Sequence, residues 1–196
     1  LLSCDKQHFN VNINLENADG KMVYLQKLID NEVAVIDSAI INNKTAKFNV
    51  VTDNPTTRYS IRIDEVRYPI GFFTENTNTE IVGDVKDVKN ITVTGSYAQQ
   101  LLNEYNKEIN KYNLQLAEFR NNYKEATQNK DEERIEKLEE EYNTINENQN
   151  TYISIFITKN SNSFIAPYIL NNNIYNYELN ELEDFVNNFK ANAINN

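Results

Sequence analysis

The sequence predicts an α+β protein: an antiparallel β-sandwich or partly open barrel of about eight strands, then a long antiparallel helical hairpin and short C-terminal helices. Three observations carry this. Apolar residues alternate with polar ones in short, turn-punctuated runs as far as Gly95. After Gly95 the spacing switches to alternating steps of 3 and 4, the period of a helical seam. A polar break then separates that seam from a second one of equal length, which implies two helices folded back on each other.

The strands follow in order. Phe9, Val11, Ile13 and Leu15 alternate with Asn10, Asn12 and Asn14, the signature of a half-buried strand. Asp19-Gly20 favours positive φ, so residues 9–26 read as a hairpin with Met22–Leu25 as its second strand. Val33–Ile41 is a longer apolar stretch, and Thr45–Val51 alternates again after an Asn42-Asn43-Lys44 turn. Asn54-Pro55 breaks the pattern before Tyr59, Ile61 and Ile63 resume it. Tyr68–Thr74, Glu80–Val82 and Lys89–Thr94 complete the strands.

The helices follow with equal regularity. Ser96 and Gln99 form a Ser-x-x-Gln capping box ahead of a seam of Leu102, Tyr105, Ile109, Tyr112, Leu116, Phe119 and Tyr123. Thr127-Gln128-Asn129-Lys130 is the break, and Ile135, Leu138, Tyr142, Ile145, Gln149, Tyr152 and Phe156 form the second seam. Asp131, Glu132 and Glu133 stand where the dipole of a helix start favours negative charge. Rings this numerous need partners for their hydroxyls. Asn160-Ser161-Asn162-Ser163 reads as a capping loop before the apolar Phe164–Leu170, and Leu179, Leu182, Phe185, Val186 and Phe189 mark a last amphipathic helix.

Composition removes several function classes. The formal net charge of −10 opposes nucleic-acid binding, which needs a basic face. No apolar run approaches the roughly 18 residues of a spanning helix. One Cys leaves no internal disulfide and no Cys-x-x-Cys pair, and one His leaves no His-His metal site. Asp64-Glu65 and Asp84 with Asp87 are paired carboxylates, but they stand in polar turns and read as solvated loop charges. His8 reads as a solvated strand-edge residue. The sequence therefore assigns no catalytic, cofactor-binding or metal-binding residue.

Leu1-Leu2-Ser3-Cys4 resembles the lipobox of bacterial lipoproteins, in which the Cys becomes the lipidated N-terminus. Residues 1–7 are thus expected to be a lipobox remnant and tether, 8–95 a β-sandwich domain, and 96–196 the helical hairpin with the C-terminal helices. Cys4 is the expected lipidation site and anchor to a membrane.

Asp19-Gly20-Lys21-Met22-Val23-Tyr24-Leu25, Ile36-Asp37-Ser38 and Ala46-Lys47-Phe48-Asn49-Val50 together resemble domain of unknown function 4369. Tyr59-Ser60-Ile61, Phe72-Phe73-Thr74-Glu75 and Thr94-Gly95-Ser96 fit its later landmarks, as does Asn160–Leu170, with Ser161 where a Pro is usual. The resemblance implies a Bacteroidetes cell-envelope lipoprotein, facing the periplasm or the surface, in a family whose members usually precede a thioredoxin-like domain. No redox cysteine carries over to this chain. The expected function is a non-catalytic, membrane-anchored module that tethers or presents an unknown protein partner or a neighbouring thioredoxin-like domain. The alternative is the substrate-orienting half of a thiol-disulfide oxidoreductase whose catalytic domain lies outside these residues.

Overall fold

A computed structural model of the chain describes residues 7–29, 32–52 and 56–190; Cys4, the rest of the tether and the Asn54-Pro55 breaker lie outside the described residues. The chain divides into two compact units that meet between Gln100 and Leu101.

The first unit is a sandwich of two four-stranded sheets. Its strands are β1 (Gln7–Glu16), β2 (Met22–Ile29), β3 (Glu32–Ile40), β4 (Thr45–Thr52), β5 (Thr56–Ile63), β6 (Ile70–Glu75), β7 (Thr79–Asp84) and β8 (Thr92–Thr94). One sheet runs β4-β1-β7-β8 and the other β3-β2-β5-β6, and the two do not close into a barrel. The alternation read in the sequence becomes the two inner faces. Phe9, Val11, Ile13 and Leu15 of β1 meet Val23 and Leu25 of β2, Tyr59, Ile61 and Ile63 of β5, and Phe72 of β6 in one buried cluster. Each such side chain stabilises the fold by about 1.5–3 kcal/mol relative to exposure.

Residues 9–26 do not form a hairpin. β1 pairs antiparallel with β4 and parallel with β7, whereas β2 pairs with β3 and β5. The Asp19-Gly20 turn exists, with Gly20 at φ 78°, but it carries the chain across from one sheet to the other. Ala18 is fully buried in the corner, and Gly20 N–H donates to Ile41 O. Turn chemistry specifies a reversal; which sheet receives the next strand depends on which pairing buries both apolar faces. The parallel β1–β7 pair is the departure from an all-antiparallel sandwich among the described strands. Within Lys89–Thr94 the ladder is also shorter than expected, since Val88–Asn90 is a single 3-10 turn and β8 begins at Thr92.

β2 runs four residues beyond Leu25 and pairs with β3 as far as Ile29↔Glu32. Its last pair with β5 is Lys27↔Tyr59. Leu28 and Ile29 therefore extend past the sheet with β3 alone, as a two-stranded ribbon. A register shift between Leu25 and Gln26 leaves Ile36 as the extra residue of a bulge on β3.

The second unit holds the rest of α1 (Tyr97–Asn129), α2 (Glu132–Lys159), α3 (Ile165–Asn172) and α4 (Leu179–Asn188). The α1–α2 turn is closed by Lys130 N–H on Thr127 O and Asp131 N–H on Ala126 O, with Lys130 at φ 56°. This is a Schellman end without its usual glycine. Asp131 then caps α2, its carboxylate accepting from Arg134 N–H. The hairpin is antiparallel and its seam is aromatic. Tyr105 stacks on Tyr152, Tyr112 meets Tyr152, and Phe119 meets Tyr142 with ring centroids 4.9 Å apart. Two of the seam hydroxyls have side-chain partners: Tyr123 donates to Glu139 and Tyr105 accepts from Asn173 Nδ2. Asn160 turns back to hydrogen-bond Phe156 O, ending α2, and Ser163 Oγ accepts from Ile165 N–H at the start of α3.

Leu138 is buried in the hairpin and Gln115 is exposed. Leu138→Ala is expected to cost about 2–4 kcal/mol, against less than about 0.5 kcal/mol for Gln115→Ala. Urea unfolding followed at the helical circular-dichroism minimum measures both, and equal losses would show the seam to be misplaced.

Burial, with the nearby Glu108 and Glu104 carboxylates, pushes the Tyr152 hydroxyl up to about 12. A folded-state pKa above the unfolded value of 10.0 leaves stability intact below pH 10 and removes it as pH rises through 12. The hairpin is expected to weaken over that window, and Tyr152→Phe to flatten the loss. Unfolding midpoints measured from pH 9 to 12.5 (roughly the window set by the shift) check this.

Candidate functional site

The two ends of the sandwich differ in chemistry. One end gathers the turns after β1, β3, β5 and β7, and several of its charges pair with one another. Lys21 pairs with Glu65, and Lys44 reaches Glu16 at 2.9 Å while its N–H donates to Asp19. Asn17 Nδ2 donates to both Asp84 oxygens. The Lys86 N–H, then Asn17, hold the Asp84 carboxyl below the usual range, and the Lys21 ammonium does the same for Glu65. The paired carboxylates read from the sequence are thus turn fasteners. Asp64 binds Arg62, Asp84 and Asp87 serve separate loop contacts, and neither pair converges on a common point. Among the described residues no group of three His, Cys, Asp or Glu is placed to hold a metal ion. His8 is exposed, as expected, but it stands on an inner strand, paired with Val51 of β4, and not on an edge strand.

The opposite end gathers the start of β1, the free end of the β2–β3 ribbon, the end of β4, the start of β5 and the β6–β7 turn. Phe9 and Tyr59 fix the level of the two sheets there, their centroids 5.6 Å apart. Threonines line the inner faces at this end: Thr52, Thr57, Thr74 and Thr79 are all buried. The hydroxyls of Thr57 and Thr79 have no hydrogen-bond partner among the described residues. Burial raises the Tyr59 hydroxyl, and a hydrogen bond with Thr52 offsets part of that.

At this end the β6 edge is closed by side chains. Phe73 N–H donates to Gln99 Oε1 at 2.9 Å, and Ser96 Oγ donates to Phe73 O at 2.8 Å. Ser96 Oγ also accepts from Gln99 N–H, capping α1, and Glu75 accepts from Ala98 N–H. The Ser-x-x-Gln box read from the sequence is therefore half right. Ser96 caps the helix, but Gln99 turns to the strand edge and not back to Ser96. Gly95, at φ 144°, lets the chain enter this corner, where a Cβ would run into the Asn78 carbonyl.

The ribbon carries the exposed apolar residues of this end. Leu28 is 57% exposed, Ile29 47% and Val33 65%, and Val51, opposite His8 on β4, is 52% exposed. The sequence reading ended β2 at Leu25 and missed the ribbon. Its signal was present, since Leu28-Ile29 and Val33 flank Asp30-Asn31, a turn pair between apolar runs. In the second unit, Ile155 and Phe185 floor a groove of about 670 Å³ between α2 and α4, rimmed by Lys159, Glu181 and Asp184.

These features define a two-sheet β-sandwich domain in which one of the sheet edges, that of β6, is sealed by the first turn of a following helix. Residues 9–102 match the family model Domain of unknown function (DUF4369), and this stretch of the chain is a domain of that family. The match ends within α1, so the Asn160–Leu170 landmarks lie beyond it. No curated protein matches the chain.

Gln99→Ala leaves a buried strand amide unpaired and is expected to cost about 1–3 kcal/mol. Gly95→Ala is expected to cost at least as much, because backbone must move. Hydrogen exchange of the Phe73 amide distinguishes the mechanism: Gln99→Ala is expected to lose protection there first, and unchanged exchange would remove the edge-sealing role.

Proposed function

We propose that the chain is a non-catalytic cell-envelope lipoprotein module, anchored through Cys4, that presents a protein partner or a neighbouring thioredoxin-like domain. The observation that carries this reading is the lipobox-like Leu1-Leu2-Ser3-Cys4 ending three residues before β1. An acyl group on Cys4 tethers the sandwich by its first strand and needs no spanning segment. Among the described residues no helix is long and apolar enough to cross a membrane, which is compatible with this. The carboxylates engaged in turn contacts support a structural role for them. The apolar groove between α2 and α4, with its mixed-charge rim, is a surface that a partner's apolar side chain fits.

The precursor expressed in a host that acylates lipoproteins is expected to fractionate with membranes and to carry acyl mass on Cys4. Cys4→Ser is expected to move to the soluble fraction. Soluble wild-type protein without acyl mass overturns the anchoring and the envelope address together.

A further inference from the structure

The β2–β3 ribbon and the start of the chain share one end of the sandwich. Phe9 contacts Tyr59, and Tyr59 is the register partner of Lys27, so the three residues stand at one level across the two sheets. Going from that level toward the free end, β1 reaches Gln7 and β2 reaches Ile29, two residues each. Cys4 precedes Gln7 by three residues, which span at most about 11 Å of extended chain. Any lipid on Cys4 is therefore held close to this end.

The side chains at this end suit a lipid surface. Leu28 pairs with Val33, and both project from the outer face of the ribbon, beyond the last residue that β5 covers. Val51 adds an exposed aliphatic group on the other sheet. A two-stranded ribbon with open aliphatic side chains is marginal in water and gains from being covered. The carboxylates of the turn network, Glu16, Asp19, Asp64, Glu65 and Asp84, stand at the far end. The ribbon itself has Lys27 against Asp30 and Glu32, so it is not basic and its attraction to lipid would be apolar, not electrostatic.

We infer that the ribbon is a second membrane contact: Leu28, Ile29 and Val33 enter the headgroup–acyl boundary of the bilayer that holds Cys4 and set the sandwich end-on to it. This rests on the anchoring through Cys4. A single lipid tether leaves a domain free to tumble, and an apolar contact on the same end removes that freedom.

The chain contains no Trp, so one introduced Trp reports alone. Leu28→Trp and Val33→Trp replace exposed side chains, and Tyr68→Trp places the same reporter in the turn after β5, at the far end. The acylated proteins are reconstituted into phosphatidylcholine vesicles with or without acyl-chain bromine, and vesicle flotation is recorded in parallel. Bromine is expected to quench Leu28→Trp and Val33→Trp roughly fivefold more than Tyr68→Trp, with little change on adding salt. Failure to float overturns the anchoring and this inference with it. Flotation with all three reporters quenched alike, or not at all, overturns this inference alone. Shielding of Leu28→Trp from aqueous acrylamide without bromine quenching also overturns it, since a protein surface then covers the ribbon.

Discussion

The backbone of Phe73 is the point on which the first unit depends. β6 is the outermost strand of its sheet, and its outward amide and carbonyl would otherwise face the start of a helix with nothing to bind. Gln99 supplies the acceptor and Ser96 the donor, so the strand edge is completed by two side chains one helical turn apart. The same Ser96 oxygen accepts from the Gln99 amide, and Glu75 takes the Ala98 amide. Orphan groups of a helix start and of a sheet edge thus cancel each other. Both Ser96 and Gln99 are buried, where an unpaired polar group is most costly. Gly95 permits the close approach to Asn78 that this exchange needs.

Other edges of the sandwich are handled differently, and the contrast locates the exposed surface. β8 has only three residues, and β4 carries Lys47 outward. β3 is long, carries no Lys or Pro, and shows aliphatic side chains to solvent; the bulge at Ile36 and the exposed carboxylates of Glu32 and Asp37 are its protective devices. Polar fastening is concentrated at the far end, where Lys21, Lys44 and Asn17 tie the turns through carboxylates. Polar cross-links are therefore concentrated at one end of the domain, whereas exposed aliphatic side chains run along β3 from Val33 to Ile40 and onto Leu28 and Ile29 of β2.

Much of the architecture was legible because it is periodic. Alternation at Phe9–Leu15 and Tyr59–Ile63 marked strands with one buried face, and the 3,4 spacing from Leu102 to Tyr123 and from Ile135 to Phe156 marked the hairpin. The observed ring pairs Tyr105–Tyr152 and Phe119–Tyr142 follow from that spacing and one short turn. The carboxylates in the turns were also legible as loop charges, because they fall where the strand alternation is interrupted. The β2–β3 ribbon was missed for the opposite reason: its aliphatic side chains look like core, and only the end of β5 pairing at Tyr59 leaves them uncovered.

The sequence by itself determined the element types, the faces they bury, the break at Lys130 and the cap at Ser96, all set by neighbours within a few residues. Tertiary structure alone decided that Asp19-Gly20 crosses between sheets, that β1 lies parallel to β7, and that Gln99 serves a strand 26 residues away. These choices join residues far apart in the chain. Local periodicity states that a face must be buried or an amide must be paired; it does not name the partner, because several pairings satisfy the same pattern until the whole core is packed.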